Sequence, residues 1–271
     1  MCRKKIELGG EYMQKKMIFF DIDGTLLTDE KKVLPSTKEA LKQLKKNGHE
    51  VVIATGRNLF LARDVIEELD FENYIVCNGA AGYFQHELVY ENTLNAAEYQ
   101  RLIQVADQNR HQLVYQSPEL LRRRDAEADF MMSEAMRSID FGVPEYDRDF
   151  YQNNTLYQSL IFYGTDDHAL YESGQFPQFR FVRWHDFGVD ILPHDGSKAN
   201  TALKMAQSKG IAGEDKRAFG DGLNDLELLT KVGVGVAMGN AFEEVKLRAN
   251  KVTKNNNEDG IALALEELNL I

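Results

Sequence analysis

Asp21 and Asp23, in the segment Asp21-Ile22-Asp23-Gly24-Thr25, are two carboxylates separated by a single residue. Anions this close repel each other, so a metal cation is their natural compensation. Gly24 lets the backbone turn sharply and approach a ligand. A second acidic segment, Gly220-Asp221-Gly222-Leu223-Asn224-Asp225, adds two carboxylates and an amide. Capping a helix would need only one such residue, and the surplus points to more than capping. Ala54-Thr55-Gly56-Arg57 offers a hydroxyl and backbone N–H groups, which suit either a plain helix cap or a bound phosphate. Gly196-Ser197-Lys198 puts a lysine at the start of a predicted helix, where it opposes the helix dipole and is better tolerated with an anion nearby. Together these segments hold acidic metal ligands, a hydroxyl and a cation. Phosphoryl transfer needs that set: a nucleophile, a metal and positive groups for the charge on the equatorial oxygens.

The segments can cooperate only if the fold brings them to one edge. Met17-Ile18-Phe19-Phe20 is a short apolar run ending at Asp21, the pattern of a buried parallel strand. Ser36-Thr37-Lys38-Glu39 has the form of a capping box, Ala40, Leu41 and Leu44 recur at helical spacing, and Gly48 suits the end of that helix. Strands are predicted at 51–54 and 74–77, with a helix over 58–69 between them. Strand–helix alternation with short links implies a parallel sheet with right-handed crossovers, an α/β core of Rossmann-like form. In such sheets ligands bind beyond the carboxyl ends of the strands, and every segment above falls there or on a helix entering from there.

The alternation loosens over residues 83–189 and returns after 190. Strands at 112–116, 156–163 and 179–184 and helices at 96–109, 126–138 and 166–173 suggest an inserted α+β domain. The run at 156–163 mixes apolar and polar positions, as a sheet with one wet face would. The closing part predicts helices over 197–209, 223–230, 241–249 and 261–268, a strand ending at Asp221 and another at 232–237. The expected organisation is therefore a loosely ordered leader (1–16), a parallel-sheet core (17–82 and 190–271) and the inserted domain (83–189), with bounds good to several residues.

The chain carries a net charge of −11, which disfavours a nucleic-acid partner. Arg122-Arg123-Arg124 is the one basic run, and the acids after it suggest a solvated face, with contact to an anionic substrate as the sharper alternative. No apolar run approaches the roughly 18 residues of a membrane-spanning helix, so no membrane partner is expected. Two cysteines, Cys2 and Cys77, suit a reducing cytoplasm. Gly233, Gly235 and Gly239 lack dinucleotide-binding spacing, and no P-loop is present. His86, His111 and His168 have no partner at metal-ligand spacing and read as structural, and His194 and Asp195 as a surface turn, with contact to a substrate as the alternative.

In order and spacing, Asp21-Ile22-Asp23-Gly24-Thr25, Thr55, Lys198 and Gly220-Asp221-Gly222-Leu223-Asn224-Asp225 resemble the four motifs of the haloacid dehalogenase-like hydrolase superfamily. The insertion, and Val76-Cys77-Asn78-Gly79-Ala80 before it, resemble the Cof-type subfamily of sugar-phosphate phosphatases with a type-two cap. The resemblance runs from Met17 to Leu268, with one departure, Ala199 where the family usually has Gly. It implies that Asp21 attacks phosphorus to form an aspartyl-phosphate and that Asp23 acts as acid and then base. It implies Mg²⁺ held by Asp21, the backbone carbonyl of Asp23 and Asp221, with Asp225 as a further ligand or an anchor behind them. Thr55, Gly56, Lys198, Asn224 and the backbone N–H of Ile22 would hold the phosphoryl oxygens. The expected activity is hydrolysis of a small phosphorylated metabolite, a sugar phosphate or a phosphorylated cofactor such as pyridoxal phosphate, by a monomer or small homo-oligomer. A phosphomutase using the same intermediate and a non-catalytic sugar-phosphate sensor are the alternatives.

Overall fold

The computed structural model describes residues 5–8, 11–139 and 142–271, with side chains from Gln14 onward. The chain divides into two units, Met1–Arg57, Leu61–Tyr90 and Ser197–Ile271 in one, Asn58–Phe60 and Glu91–Gly196 in the other.

The first unit is built on an eight-stranded sheet. Its order is Lys251–Val252, Val234–Ala237, Lys216–Gly220, Met17–Phe20, Glu50–Ala54, Tyr74–Val76, Ala81–Phe84 and Glu87–Glu91. The six strands from Lys251–Val252 to Tyr74–Val76 pair in parallel, and Ala81–Phe84 turns back antiparallel. Met17–Phe20 is a central strand because all four side chains are fully buried; water on either face would expose an apolar side chain. Phe20 stacks on Phe219 of the neighbouring strand, centroids 5.0 Å apart. Burial of each such ring contributes about 1.5–3 kcal/mol. One face carries Ala199, Ala202 and Met205 of the helix Lys198–Ser208 and Leu228 and Leu229 of Leu226–Lys231. The helix Pro35–Lys46 packs against Glu50–Ala54 and against Gly260–Glu267.

The chain builds the sheet outward from Met17–Phe20 in one direction and returns through Lys216–Gly220 on its other side. In open α/β sheets such a reversal is where ligands bind, beyond the carboxyl ends of the two neighbours. Asp21 and Asp221 are the next residue after each strand.

The second unit has a five-stranded antiparallel sheet, ordered Phe179–Arg183, Gly188–Pro193, Gln158–Phe162, Gln112–Gln116 and Leu121–Arg123. Two helices are capped by their own sequence: Asn95 accepts from the Glu98 N–H ahead of Ala96–Asn109, and Asp129 from the Met132 N–H ahead of Phe130–Ser138.

Several expectations are corrected. The expected boundaries at 82/83 and 189/190 lie several residues early. Ala81–Phe84 and Glu87–Glu91 extend the core sheet, and Gly188–Pro193, unforeseen as a strand, is hydrogen-bonded on both sides in the other sheet. The segment 1–16, expected to be loose, contains a ladder of Lys5–Leu8 with Glu11–Gln14. The strand expected to have a wet face is central, and all five residues of Gln158–Phe162 are buried. Its polar Ser159 donates to the Val114 carbonyl at 2.8 Å. The capping box does not form: Pro35, whose fixed φ and missing N–H suit a first helical position, starts the helix, and Ser36 reaches Asp259 instead. The arginine run is no solvated face: Arg122 pairs with Glu145, Arg123 binds the Asp125, Pro144 and Ala126 carbonyls, and buried Arg124 pairs with Asp107. Cys2 lies outside the described residues.

Candidate active site

Strand Met17–Phe20 ends by handing Asp21 to its neighbour, since the Asp21 N–H donates to the Phe219 carbonyl at 3.0 Å. Ile22 buries its side chain and leaves only its backbone to the turn that follows. Gly24 takes φ 68°, and a Cβ there would stand 2.2 Å from a carboxylate oxygen of Asp221. Only glycine fits both the left-handed backbone and that approach. Asn240 secures the turn by donating to the Gly24 carbonyl at 2.8 Å.

Asp21, Asp221 and Asp225 each offer a carboxylate oxygen, and these three oxygens lie within 4.8 Å of one another. The Lys198 ammonium donates to Asp21 and to Asp225, each at 2.7 Å. Lys198 is the first residue of the helix Lys198–Ser208, and Ser197 caps that helix by accepting the Asn200 N–H. The two carboxylates compensate for a cation at the wrong end of a helix dipole. Burial opposes the Lys198 charge, but Asp21 and Asp225 outweigh it and hold the ammonium's pKa above the ordinary lysine range.

One ammonium does not balance three carboxylates. Burial and then repulsion by Asp225 raise Asp21 well above the usual carboxylate range, against the pull of Lys198. The same two causes raise Asp221 to about 7. Excess negative charge around oxygen donors at this spacing suits a hard divalent cation, which takes oxygen ligands and relieves the repulsion. Asp225 is engaged elsewhere. Its second oxygen accepts the N–H groups of Asp221 at 3.1 Å and Gly222 at 3.0 Å. Those bonds hold residues 221–225 as a loop, so the helix predicted from 223 starts at Leu226.

Asp23 faces a different environment. Arg57 forks onto its carboxylate with both contacts at 2.7 Å, and Lys31 adds a third at 3.1 Å. Burial would raise its pKa, yet Arg57 and Lys31 prevail and lower it. Thr55 is buried at the end of Glu50–Ala54, and its hydroxyl oxygen accepts the Arg57 N–H at 3.1 Å. Asn224 donates its amide to Asn78 at 3.0 Å.

The carboxyl edge of this sheet thus gathers Asp21, Ile22, Asp23, Thr55, Gly56, Lys198, Asp221, Asn224 and Asp225, residues spread over most of the sequence. Three neighbours were not singled out from sequence. Arg57 stands in a segment noted for its hydroxyl, and a guanidinium two residues beyond it was the available signal. Asn78 belongs to Val76-Cys77-Asn78-Gly79-Ala80, read only as a family signature. Asn240 carries no local signal. His194 and Asp195 lie in the other unit, where Asp195 accepts from Asn92.

Residues 18–265 match the sequence model of a family described as haloacid dehalogenase-like hydrolase. YkrA of Bacillus subtilis (strain 168) is 39% identical, aligned over 96% of this chain and 100% of its own length. Pyridoxal phosphate phosphatase YbhA of Escherichia coli (strain K12) is 30% identical over 92% of this chain and 97% of its own. A crystal structure of a hypothetical protein from Geobacillus kaustophilus HTA426 superposes with a TM-score of 0.88 at 41% identity, covering 95% of this chain and 100% of that one.

Proposed function

The chain belongs to the haloacid dehalogenase-like hydrolases and is a phosphatase of that family, and from this premise we propose that it hydrolyses a small phosphorylated metabolite through an aspartyl-phosphate on Asp21. The observation that carries the proposal is the Lys198 ammonium, 2.7 Å from both Asp21 and Asp225 and within the same acidic cluster as Asp221.

An Asp21 oxygen attacks phosphorus, the bond from phosphorus to the ester oxygen breaks, and its electron pair leaves with the alcohol. Asp23 gives that oxygen a proton; it then takes one from the water that attacks the phosphoryl group and frees Asp21. Arg57 keeps Asp23 ionised in the structure, which is the state required for the second step. Donating a proton in the first step then requires the substrate to shift Asp23 from that fork. Thr55, Gly56, Asn224 and the Ile22 backbone N–H hold the phosphoryl oxygens, and Lys198 balances the charge that builds up beside Asp21.

Asp21, Asp221 and the Asp23 backbone carbonyl would hold a divalent cation, which we assign as Mg²⁺. When bound, it supplies positive charge to the phosphoryl oxygens and lets two anions approach. Both oxygens of Asp225 are occupied by Lys198 and by two N–H groups, which favours its role as an anchor over direct ligation. The substrate class is a sugar phosphate or a phosphorylated cofactor; YbhA, by name a pyridoxal phosphate phosphatase, supports the second.

Purified protein with Mg²⁺, offered a panel of phosphorylated sugars and cofactors, is expected to release inorganic phosphate from a subset. Silence across the panel and toward p-nitrophenyl phosphate would overturn the proposal.

A further inference from the structure

The turn Cys77–Gly79 touches three parts of the candidate phosphate cradle. Its backbone binds the Thr55 segment twice: the Cys77 N–H donates to the Arg57 carbonyl at 2.8 Å, and the Asn78 N–H to the Thr55 carbonyl at 3.1 Å. It also abuts the helix that begins with Lys198. Thr201 donates its hydroxyl to the Gly79 carbonyl, and a Cβ on Gly79 would lie 2.2 Å from the Ser197 carbonyl oxygen. The side chain of Asn78 reaches the third part, accepting the Asn224 amide at 3.0 Å across 146 residues of sequence. The contact is close enough that a Cβ on Gly56 would meet Asn78 at 3.0 Å and Asn224 at 3.4 Å.

Asn78 makes these contacts from an unusual backbone. Cys77 and Asn78 sit consecutively at φ 52° and 51°, a conformation that costs energy and is best tolerated by glycine and asparagine. Asn78 is also buried, with 4% of its surface exposed. An amide such as that of Asn224 has two N–H bonds. If one is spent on Asn78, the plane of the group is fixed and the other has a set direction. Asn224 lies on the loop 221–225 rather than on a helix, so no regular element orients it.

We infer that Asn78 is a positioning residue, which orients the Asn224 amide toward the transferred phosphoryl group. The inference rests on the phosphatase reading and on Asn224 as a phosphate ligand. It predicts a specific pattern of coupling. Glycine accepts the left-handed backbone, so Asn78→Gly removes the side chain with little strain. With p-nitrophenyl phosphate and Mg²⁺, Asn78→Gly is expected to lower kcat/KM by about tenfold, and Asn224→Ala by at least as much. The double variant should match Asn224→Ala alone, because Asn78 then has nothing to orient. Losses that multiply in the double variant would overturn the inference and leave the phosphatase reading standing. An Asn224→Ala protein as active as wild type would overturn the phosphate-ligand assignment and the inference with it, while wild-type turnover would still report on the phosphatase reading. If Asn78→Gly does not fold, Asn78→Asp keeps the acceptor oxygen and the backbone preference. Asn224→Ala should then cost the same factor on that background as on wild type, and a cost reduced to nothing would contradict the inference.

Discussion

Tyr99, Ser159, His111, Tyr171, Tyr163 and Glu172 lie in the unit of residues 91–196 and meet in pairs. Tyr99 meets Ser159, the His111 ring meets the Tyr171 hydroxyl at 2.8 Å, and Tyr163 donates to Glu172 at 2.7 Å. In the other unit, Asp21, Asp221 and Asp225 crowd together beside one ammonium that reaches only Asp21 and Asp225, and burial drives Asp21 and Asp221 toward protonation. Buried pairs of the first kind find their partners within their own unit and fix a core. A cluster of the second kind is left with charge to place, and it stands at the open carboxyl edge of a parallel sheet. The contrast supports the core unit as the place of the proposed chemistry. It also explains why buried polar groups alone do not mark a site.

The contrast can be tested from its strongest consequence downward. Asp21→Asn removes the proposed nucleophile while keeping the shape of the side chain. Turnover of p-nitrophenyl phosphate should fall by about 10³-fold or more, in a protein whose circular dichroism spectrum is unchanged. Retained turnover would remove Asp21 from the reaction. Lys198→Met strips the cluster of its cation. We expect a loss of about 3 kcal/mol in stability to urea at pH 8, and a smaller loss at pH 5, where the carboxyls can take up protons instead.

Mg²⁺ provides the third test. Burial and repulsion by Asp225 push Asp221 up to about 7 and raise Asp21, so without a cation the folded state keeps protons that the unfolded chain gives up. The stability this contributes is complete below ordinary carboxylate values and is lost as pH rises, through about 7 for Asp221. Binding of Mg²⁺ requires the ionised groups. The rise in Tm on adding Mg²⁺ to EDTA-treated protein should therefore be larger at pH 8 than at pH 5. Equal shifts at the two pH values would separate the cation from the cluster. The smallest effect belongs to the other unit. Tyr99→Phe breaks one closed contact, which should cost about 1 kcal/mol and a few degrees of Tm without altering kcat.

Much of this arrangement was legible in the sequence because of how parallel sheets are built. A strand buried on both faces, like Met17-Ile18-Phe19-Phe20, is a plain apolar run, and the acid that follows it must lie at the carboxyl edge. Thr55, Lys198 and Asp221 follow the same logic from their own strands and helix. What escaped depends on contacts that local patterns do not encode. The fork from Arg57 to Asp23 joins residues 34 apart, and Asn78 meets Asn224 across a much longer span. The run 156–163 mixes apolar and polar positions like a strand with one wet face, but Ser159 is paired within the unit, so its polarity did not mean water. Pro35 set a helix start that the Ser36 pattern placed elsewhere.

The most direct test of the central claim is to look for the phosphoryl group on the protein. The enzyme is mixed with p-nitrophenyl phosphate and Mg²⁺, quenched in acid within the first turnover and digested for peptide mass spectrometry. The account predicts a hydroxylamine-sensitive phosphoryl group on the peptide containing Asp21, absent from the Asp21→Asn protein. A phosphoryl group on any other residue, or on Asp21→Asn at the wild-type level, would contradict it.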